Sequence, residues 1–301
     1  MPGTVPAMAL RRALLRGLER LDATSACLQR ARLDAPGEEM WEAADVQWWW
    51  RTPRPTDDLA LPVWSDDAGS IAAACLTAWR DAWQVDAFAV GSAVDLAEVW
   101  AAALEAATGV ADGPLQTLVF GEESRAAELA VASGFEATQG REGTAWMEAA
   151  THPSVAEVEG FRIVDRTEAG DRPHPMRGRN GEAVAERLRQ CSLYDPSLDL
   201  AVEDVEGGVA GYALFWFDPR TLVGLVEPMR VEDACQRRGL GRVLLTGGLD
   251  RLARRGAQRL KVGFSSDIAR ALYLGAGFVQ TSVDRTFVRP APGGTATEPG
   301  C

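Results

Sequence analysis

A basic, glycine-rich corner at residues 236–241 has the residue types and the spacing that a phosphate site needs. It reads QRRGLG and leads directly into the amphipathic stretch RVLLTGGLDRLARR. The first amides of a helix have no partner within the helix, and glycine lets the backbone come close to a ligand. Free N–H groups, the helix dipole and two arginines together favour an anion such as phosphate. The corner matches neither GxxxxGK[ST] nor GxGxxG, so the usual nucleotide-binding patterns do not apply.

Strand and helix patterns place this corner in the second of two halves that share one plan. In the first half we expect a helix over residues 8–33, then strands at VQWWW, LALPVW, SIAAACLTAW and VDAFAV, and then helices and strands in alternation. The second half repeats this plan, with the strand TLVGLVEPMRV before the corner and RLKVGF after its helix. AAELAVASGF (126–135) and ARALYLGAGF (269–278) match, which indicates a duplication. The predicted organisation is a domain with an N-terminal helix over 1–150, a linker over 151–160, a domain over 161–290 and a disordered tail over 291–301.

Composition limits the classes of function. The chain has 301 residues, 47% of them hydrophobic, and a net charge of −12. Residues 1–150 hold 11 basic and 23 acidic residues and the remainder holds 20 of each, so all the excess acid lies in the first half. This charge disfavours nucleic acid as a partner, and no apolar run approaches the ~18 residues of a membrane span. Five cysteines without a CxxC pair and two histidines before prolines support neither a disulfide framework nor a metal site. The arginine-rich start lacks the apolar block of a signal peptide, so we expect a cytoplasmic protein.

Two motifs in the second half carry a family resemblance. The corner matches the pattern Q/R-x-x-G-x-G/A through Gln236, Gly239 and Gly241, and the segment 269–278 matches A-x-x-L-Y-x-x-x-G-F. With EPMRVEDAC before the corner, residues 161–290 resemble the GNAT superfamily of acyl-CoA N-acyltransferases. The resemblance implies the α/β (α+β) class, with two tandem GNAT-like domains, each a mixed, mainly antiparallel sheet flanked by helices. It also implies acetyl-CoA as the cosubstrate and no metal.

The resemblance implies where the coenzyme binds. Backbone amides of residues 236–242 would hold the diphosphate, and arginines there would add charge. The strand before the corner would separate from its neighbour at a bulge, and backbone groups of Met229 and Val231 would pair with the pantetheine arm in the resulting V-shaped slot. An amide in this stretch would polarise the thioester carbonyl. The residues that we expect to bind the coenzyme are Met229, Arg230, Val231, Gln236, Arg237, Arg238, Gly239, Leu240, Gly241, Arg242 and Ser266. At the position of Ser266 the family often has asparagine.

Two side chains are candidates for proton transfer. Tyr273 matches the family's general acid, which would protonate the leaving thiolate; the alternative is a tyrosine that only packs on a helix face. Glu227 is our candidate for the base that takes the proton of the amine, and a structural role is its alternative. It lies two residues before Met229, so strand alternation predicts that both side chains share one face. Asp218 and Asp204 are weaker candidates for the base.

The first half has neither the glycine corner nor the tyrosine. GSAVDL stands where the corner would be, and Ala130 stands where the second half has Tyr273, so we interpret this half as a degenerate GNAT-like domain. Its excess acid would attract a cationic acceptor or would serve solubility alone. The run Trp48–Trp50 falls in a predicted strand, where alternation prevents three successive side chains from sharing one environment. A stacking platform for a substrate ring is one interpretation of this run.

The function that these observations favour is acetyl-CoA-dependent N-acetylation of a primary amine. The acceptor would be a small cationic molecule of the aminoglycoside or basic peptide antibiotic type, acetylated for antibiotic resistance or self-protection. The alternatives are acetylation of a cysteinyl amine, as in mycothiol synthases, and a non-catalytic acyl-CoA-binding sensor. We expect a small-molecule amine as the partner, and neither nucleic acid nor a membrane. The oligomeric state stays open, with a homodimer as one option.

Overall fold

Two sets of six paired strands, connected in the same order, organise this chain. The structure is a computed structural model that describes residues 9–121 and 124–291, so all but the first residue of the predicted tail lies outside the described part. The described residues divide into two compact units. Unit 1 comprises residues 9–43, 54–121, 124–139 and 285–291, and unit 2 comprises residues 44–53 and 140–284.

The described residues form twelve strands and nine α-helices. The strands are β1 (Arg11–Leu15), β2 (Leu61–Asp66), β3 (Gly69–Ala78), β4 (Trp83–Ala89), β5 (Leu115–Val119), β6 (Glu136–Glu148), β7 (Phe161–Asp165), β8 (Asp199–Asp204), β9 (Val209–Asp218), β10 (Val223–Val231), β11 (Arg259–Phe264) and β12 (Val279–Arg289). The helices are α1 (Gly17–Asp34), α2 (Ala43–Trp49), α3 (Leu96–Val110), α4 (Arg125–Ala132), α5 (Arg166–Ala169), α6 (Arg177–Asn180), α7 (Val184–Arg189), α8 (Leu240–Arg254) and α9 (Asp267–Gly275).

The sheet of unit 1 has the order β1-β2-β3-β4-β5-β12. Neighbouring strands are antiparallel except β4 and β5, which run parallel, and Arg285–Arg289 of β12 pairs with β5. One face of this sheet packs against α3 through a core that includes Trp64, Val85 and Trp100. The β2 to β5 segments contain β-branched and aromatic residues, which fit a pleated, half-buried surface.

The sheet of unit 2 has the order β7-β8-β9-β10-β11-β6 and the same pattern of directions. Only β10 and β11 run parallel, and β6 pairs with β11 through Gly143–Glu148. Helix α8 packs closely on β9 and β7 because it has no side chain at two buried positions. A Cβ atom on Gly248 would lie 2.0 Å from the Phe215 ring, and one on Gly247 would lie 2.3 Å from Ile163 Cδ1. Each unit is thus a mixed, mainly antiparallel sheet flanked by helices, which confirms the predicted fold class.

Two predicted elements near the N-terminus differ from the structure. The helix expected from residue 8 begins at Gly17, and Arg11–Leu15 forms an edge strand paired with β2. In that strand Leu14 is exposed, which a helical pattern read from leucine spacing alone does not anticipate. Within α1 the buried residues recur every three to four positions from Leu21 onward.

The tryptophan run was predicted as a strand, and this prediction is wrong. Ala43–Trp49 forms α2, and Trp48, Trp49 and Trp50 are all buried. Successive helical residues are separated by about 100°, so neighbouring side chains can all meet protein. The Trp50 indole donates a hydrogen bond to Gln190 Oε1 at 2.8 Å, and the Arg187 guanidinium stacks 3.5 Å from the centre of its ring.

The predicted linker packs within unit 2. The N–H group of Ala156 donates to Thr246 Oγ1 of α8 at 2.9 Å. The division of the sequence into two domains at residues 151–160 stays a prediction. Each compact unit contains one strand segment from the other half of the sequence: unit 1 contains part of β12, and unit 2 contains part of β6. Within the described ranges, no helix combines the length and the apolar character that crossing a bilayer requires.

Candidate active site

The glycine corner forms the entry to α8. Gly239 is the N-cap residue with a φ of +83°, and α8 begins at Leu240. Arg237 also has a positive φ, of 59°. Within the described part of the chain, the backbone N–H groups of residues 237–241 donate no hydrogen bond, whereas that of Arg242 donates to the Gly239 carbonyl at 3.0 Å. Five successive amides without a partner at a helix N-terminus form an anion-binding surface.

The arginines of the corner differ in their contacts. Arg238 stacks on the ring of Phe161, with its guanidinium carbon 4.6 Å from the ring centre. Arg237 and Arg242 are exposed, and their side chains form no ion pair or hydrogen bond with residues of the two described ranges. Gln236 is held by a hydrogen bond from its Nε2 to Asp233 Oδ1 at 3.0 Å. Two guanidinium groups therefore remain available for an anion at the corner.

A slot opens between β10 and β11, next to the corner. The two strands pair only over the first residues of β10, up to Val226, and the register of β10 on β9 shifts before Met229. The N–H group of Glu232 donates to the Ala210 carbonyl of β9 at 2.9 Å. Because antiparallel strands direct alternate residues toward a given neighbour, the N–H groups of Met229 and Val231 point away from β9 and into the slot.

The side chains of Arg230 and Leu240, two other residues predicted to bind the coenzyme, contact protein groups. The Arg230 guanidinium donates from Nη2 to Asp233 Oδ1 at 2.9 Å, and its Nε lies 3.7 Å from Glu232 Oε2. Its charge is thus matched by acids of the same segment. The Leu240 side chain is buried in the core, so only the amide of this residue faces the corner. Contact between the coenzyme and the Arg230 side chain stays a prediction.

Glu227 lies in the bulge of β10. The register shift falls between Val226 and Met229, so the regular alternation that would place Glu227 and Met229 on one face is interrupted. The argument from alternation therefore does not apply to this pair, and a shared face stays a prediction. The Trp216 indole donates to the Glu227 carbonyl at 2.7 Å and anchors the bulge to β9.

The Glu227 carboxyl has an environment that favours its neutral form. Burial, and next the negative charge of Asp45, raise the pKa of Glu227 to about 7. The positive charge of Arg51 and a hydrogen bond from Trp48 oppose this rise, and Glu142 adds to it. A carboxyl group with a pKa near neutrality is suited to exchanging a proton at physiological pH.

Tyr273 lies close to Glu227 and is packed from both sides. Its ring centre is 6.2 Å from that of Phe264 and 6.1 Å from that of Phe278. Its hydroxyl forms no hydrogen bond with any residue of the described ranges. Burial and the negative charge of Glu227 raise the pKa of Tyr273, so the phenol holds its proton. The Tyr273 ring is part of the core, as expected for a tyrosine that packs on a helix face, but its hydroxyl group is left available for a ligand.

Ser266 and the two weaker candidates for the base have local structural roles. Ser266 is the N-cap of α9, and its Oγ accepts a hydrogen bond from the Ala269 N–H at 3.3 Å. Asp204 Oδ1 accepts from the Gly208 N–H at 2.8 Å, and Asp218 Oδ1 accepts from the Arg220 N–H at 2.9 Å. Both aspartates therefore stabilise the turns that follow their strands.

Helix α2 and the turn after it contribute residues to this site that the sequence analysis missed. Asp45 and Trp48 lie in α2, and Arg51 lies two residues beyond its end. Each is three residues from the next, a spacing that places side chains on one side of a helix. This spacing was the available signal, and the strand interpretation of the tryptophan run concealed it. Within the described ranges, no group of three or more His, Cys, Asp or Glu side chains could hold a metal ion.

The corresponding corner of unit 1 has different chemistry. Helix α3 is capped by Asp95, whose carboxylate accepts from the Ala97 N–H at 2.9 Å. A carboxylate at this helix N-terminus occupies the amides and repels a phosphate. The structure thus gives a physical reason for the interpretation of the first half as degenerate.

Comparison with known proteins agrees with the fold and with the motifs. Residues 168–278 match the model of the Acetyltransferase (GNAT) family. A mycothiol acetyltransferase from Clavibacter michiganensis subsp. michiganensis is 32% identical over 118 residues, which cover 38% of this chain and 38% of that one. The matched segment therefore spans well under half of this curated relative.

Two solved structures share the fold over nearly the whole chain. One is a tandem GNAT protein from the clavulanic acid biosynthesis pathway, with a TM-score of 0.68, 16% identity and coverage of 95% of this chain and 100% of that one. The other is a GCN5-related N-acetyltransferase from Sphaerobacter thermophilus, with a TM-score of 0.59, 14% identity and coverage of 93% and 95%. At these identities the likeness shows the fold.

The sheet order, the slot and the glycine corner of unit 2 are those expected for a GNAT-type domain. Residues 168–278 match the model of that family, and the chain has the fold of a tandem GNAT protein. The family resemblance predicted from the two motifs is thereby confirmed.

Proposed function

We propose that unit 2 transfers the acetyl group of acetyl-CoA to a primary amine of a small cationic molecule. The observation that carries the proposal is the row of five open amides at the start of α8, beside a slot into which Met229 and Val231 direct their N–H groups. The amides and the exposed Arg237 and Arg242 fit a diphosphate. The slot fits an extended amide-containing arm, which would pair with β10 as an added strand.

The side chains at the slot supply the two proton transfers. Acetyl-CoA supplies the activated acetyl group when it is bound. The Glu227 carboxylate takes a proton from the bound ammonium, which frees the nitrogen lone pair to form the new C–N bond. An N–H group in the stretch from Met229 to Val231 stabilises negative charge on the carbonyl oxygen. Tyr273 gives its phenolic proton to the sulfur as the C–S bond breaks. The second proton that the attacking nitrogen must lose restores the phenol of Tyr273, and the proton on Glu227 leaves to solvent.

The charge around Glu227 favours a cationic acceptor. Asp45 and Glu142 act on Glu227 with negative charge, against the single positive charge of Arg51. An acceptor ammonium beside these groups would offset their mutual repulsion. Aminoglycosides and basic peptide antibiotics present such ammonium groups, so the proposal extends to resistance or self-protection in the cytoplasm, where acetyl-CoA is available.

A second candidate is acetylation of a cysteinyl amine on a sugar conjugate. The similarity to the mycothiol acetyltransferase over 118 residues favours it. Both candidates use the same coenzyme site and the same proton transfers, and they differ in the acceptor.

The test is a measurement of coenzyme A release from acetyl-CoA by the full chain against a panel of amines. The panel contains aminoglycosides, basic peptide antibiotics, polyamines, amino sugars and a cysteinyl amino-sugar conjugate. Turnover with a polycationic amine, lost in Tyr273→Phe, supports the first candidate, and turnover with the cysteinyl conjugate alone supports the second. Tight acetyl-CoA binding without turnover on any amine would favour a sensor and overturn the proposal.

A further inference from the structure

Unit 1 contains a cleft that the proposed reaction does not use. Strands β4 and β5 pair in parallel only through Trp83–Leu115 and Gln84–Gln116 and then diverge. The resulting β4–β5 cleft has a volume of about 260 Å³ and is lined from β4, β5, α4 and the segment after α1. Its lining includes Asp86, Trp41, Phe88, Phe120 and Leu129.

Asp86 is a buried carboxylate at this cleft without a counter-ion. It is 4% exposed, and it forms no ion pair with any residue of the described ranges. Its two oxygens accept hydrogen bonds from the Trp41 indole at 3.2 Å and from Gln84 Nε2 at 2.9 Å. A carboxylate can accept about four hydrogen bonds, so each oxygen retains a lone pair for a ligand. Burial raises the pKa of Asp86 to about 7, which reflects the cost of a buried negative charge without a positive partner.

The remaining lining of the cleft is mostly aromatic and aliphatic, and its acidic residues outnumber its basic ones. The ring centres of Trp41 and Phe120 lie 5.1 Å apart in an edge-to-face arrangement. Glu38 and Glu39 stand at the cleft, and its basic lining residue, Arg125, forms an ion pair with Glu128. Aromatic faces and carboxylates both attract organic cations.

The same cleft is unsuited to an acyl-CoA. The helix N-terminus that would hold a diphosphate is capped by the Asp95 side chain. A diphosphate at that position would meet a carboxylate in place of free amides. The chemistry of the cleft thus selects against the coenzyme for which the slot of unit 2 is shaped.

We propose that the β4–β5 cleft binds a small organic cation, a primary ammonium carried on a short aromatic or aliphatic body. The ammonium donates to the free lone pairs of Asp86 and supplies its missing counter-charge. The apolar body packs against Trp41, Phe88 and Phe120. This inference does not depend on the proposed reaction in unit 2, because the cleft and its carboxylate belong to unit 1.

The test is isothermal titration calorimetry of the full chain at pH 8 with phenethylamine. 2-Phenylethanol, which is neutral, and 3-phenylpropionate, which is anionic, serve as comparison probes. We expect a Kd on the order of 0.1–1 mM for the amine, binding at least tenfold weaker for the alcohol, and no binding of the anion. Equal affinity for amine and alcohol, or no binding of the amine, would overturn the proposal.

Variants locate the binding site. Asp86→Asn should reduce amine affinity at least tenfold, whereas Asp81→Asn, the same change at an exposed position of unit 1, should leave it unchanged. If Asp86→Asn does not fold, Ala126→Phe fills the cleft from α4 and should abolish binding of the amine. Glu227→Gln removes the candidate base of unit 2 and should leave this affinity intact. Loss of amine binding in Glu227→Gln alone would place the probe in unit 2 and contradict the inference.

Discussion

The carboxyl group of Glu227 and the phenol of Tyr273 lie close enough for the negative charge of the first to raise the pKa of the second. One residue comes from a bulge in β10 and the other from α9. The pair thus contains a group with a pKa of about 7, which can accept a proton at neutral pH, and a group that keeps its own proton. Environments that move the pKa values of two neighbouring groups apart in this way are typical of a general base and a general acid.

Tyr273→Phe should lower kcat at least tenfold and leave the Kd for acetyl-CoA within about twofold. The hydroxyl has no hydrogen-bond partner in the described residues and the ring keeps its contacts with Phe264 and Phe278, so the melting temperature should hardly change. Tyr194→Phe is the contrasting change. It removes the hydrogen bond to the buried Asp199, at 2.8 Å, and should lower stability by about 1–3 kcal/mol. An unchanged kcat in Tyr273→Phe would remove this residue from the mechanism.

The pH dependence of kcat/KM should report Glu227. A base is active when it is deprotonated, so kcat/KM should rise with pH through about 7. This limb should disappear in Glu227→Gln. Asp45→Asn removes a negative charge that raises the pKa of Glu227, so the limb should move to lower pH in that variant. A limb that persists in Glu227→Gln would assign the titration to another group.

The same group should affect stability with a defined sign. The pKa of Glu227 is higher in the folded protein than the usual value of 4.5, so the folded state binds its proton more tightly than the unfolded state. Stability is therefore lost as pH rises from about 4.5 to about 7. Glu227→Gln should raise the melting temperature at pH 8 by a few degrees and have little effect at pH 5. A variant that is less stable than the natural chain at both pH values would contradict this account.

The sequence predicted the architecture well where the pattern is local. The two motifs, the strand before the glycine corner and the helix after it were all apparent from spacing, because turn glycines and amphipathic periods are local signals. The base candidate Glu227 was found because it stands next to the motif. Its pKa could not be predicted, since it depends on Asp45 and Arg51, which are far away in sequence.

Two kinds of error have physical causes. The run Trp48–Trp50 is β-prone by composition, yet it covers the end of helix α2 and the residue after it. The Trp50 indole contacts Gln190 and Arg187, and the Arg51 guanidinium contacts Asn180 of α6. Tertiary contacts decided the structure of this stretch. The alternation argument for Glu227 failed because it assumed a regular strand at this residue, whereas the bulge that the family resemblance implied for β10 falls between Val226 and Met229.

Gly239→Ala should weaken acetyl-CoA binding at least tenfold, because the residue has φ +83° and its Cβ would lie 3.3 Å from Val158 Cγ2. The left-handed conformation is strained by about 1–2 kcal/mol for an L-residue, so the corner would relax and its row of amides would lose its shape. Gly256→Ala is a matched control at the other end of α8, with φ +96° and nothing within 4 Å of the added Cβ. It should cause a similar loss of stability and leave the Kd for acetyl-CoA unchanged. Calorimetric titration of both variants with acetyl-CoA distinguishes the effect of backbone strain alone from the effect of a changed corner. Equal Kd values for the two variants would refute the assignment of the corner to the diphosphate.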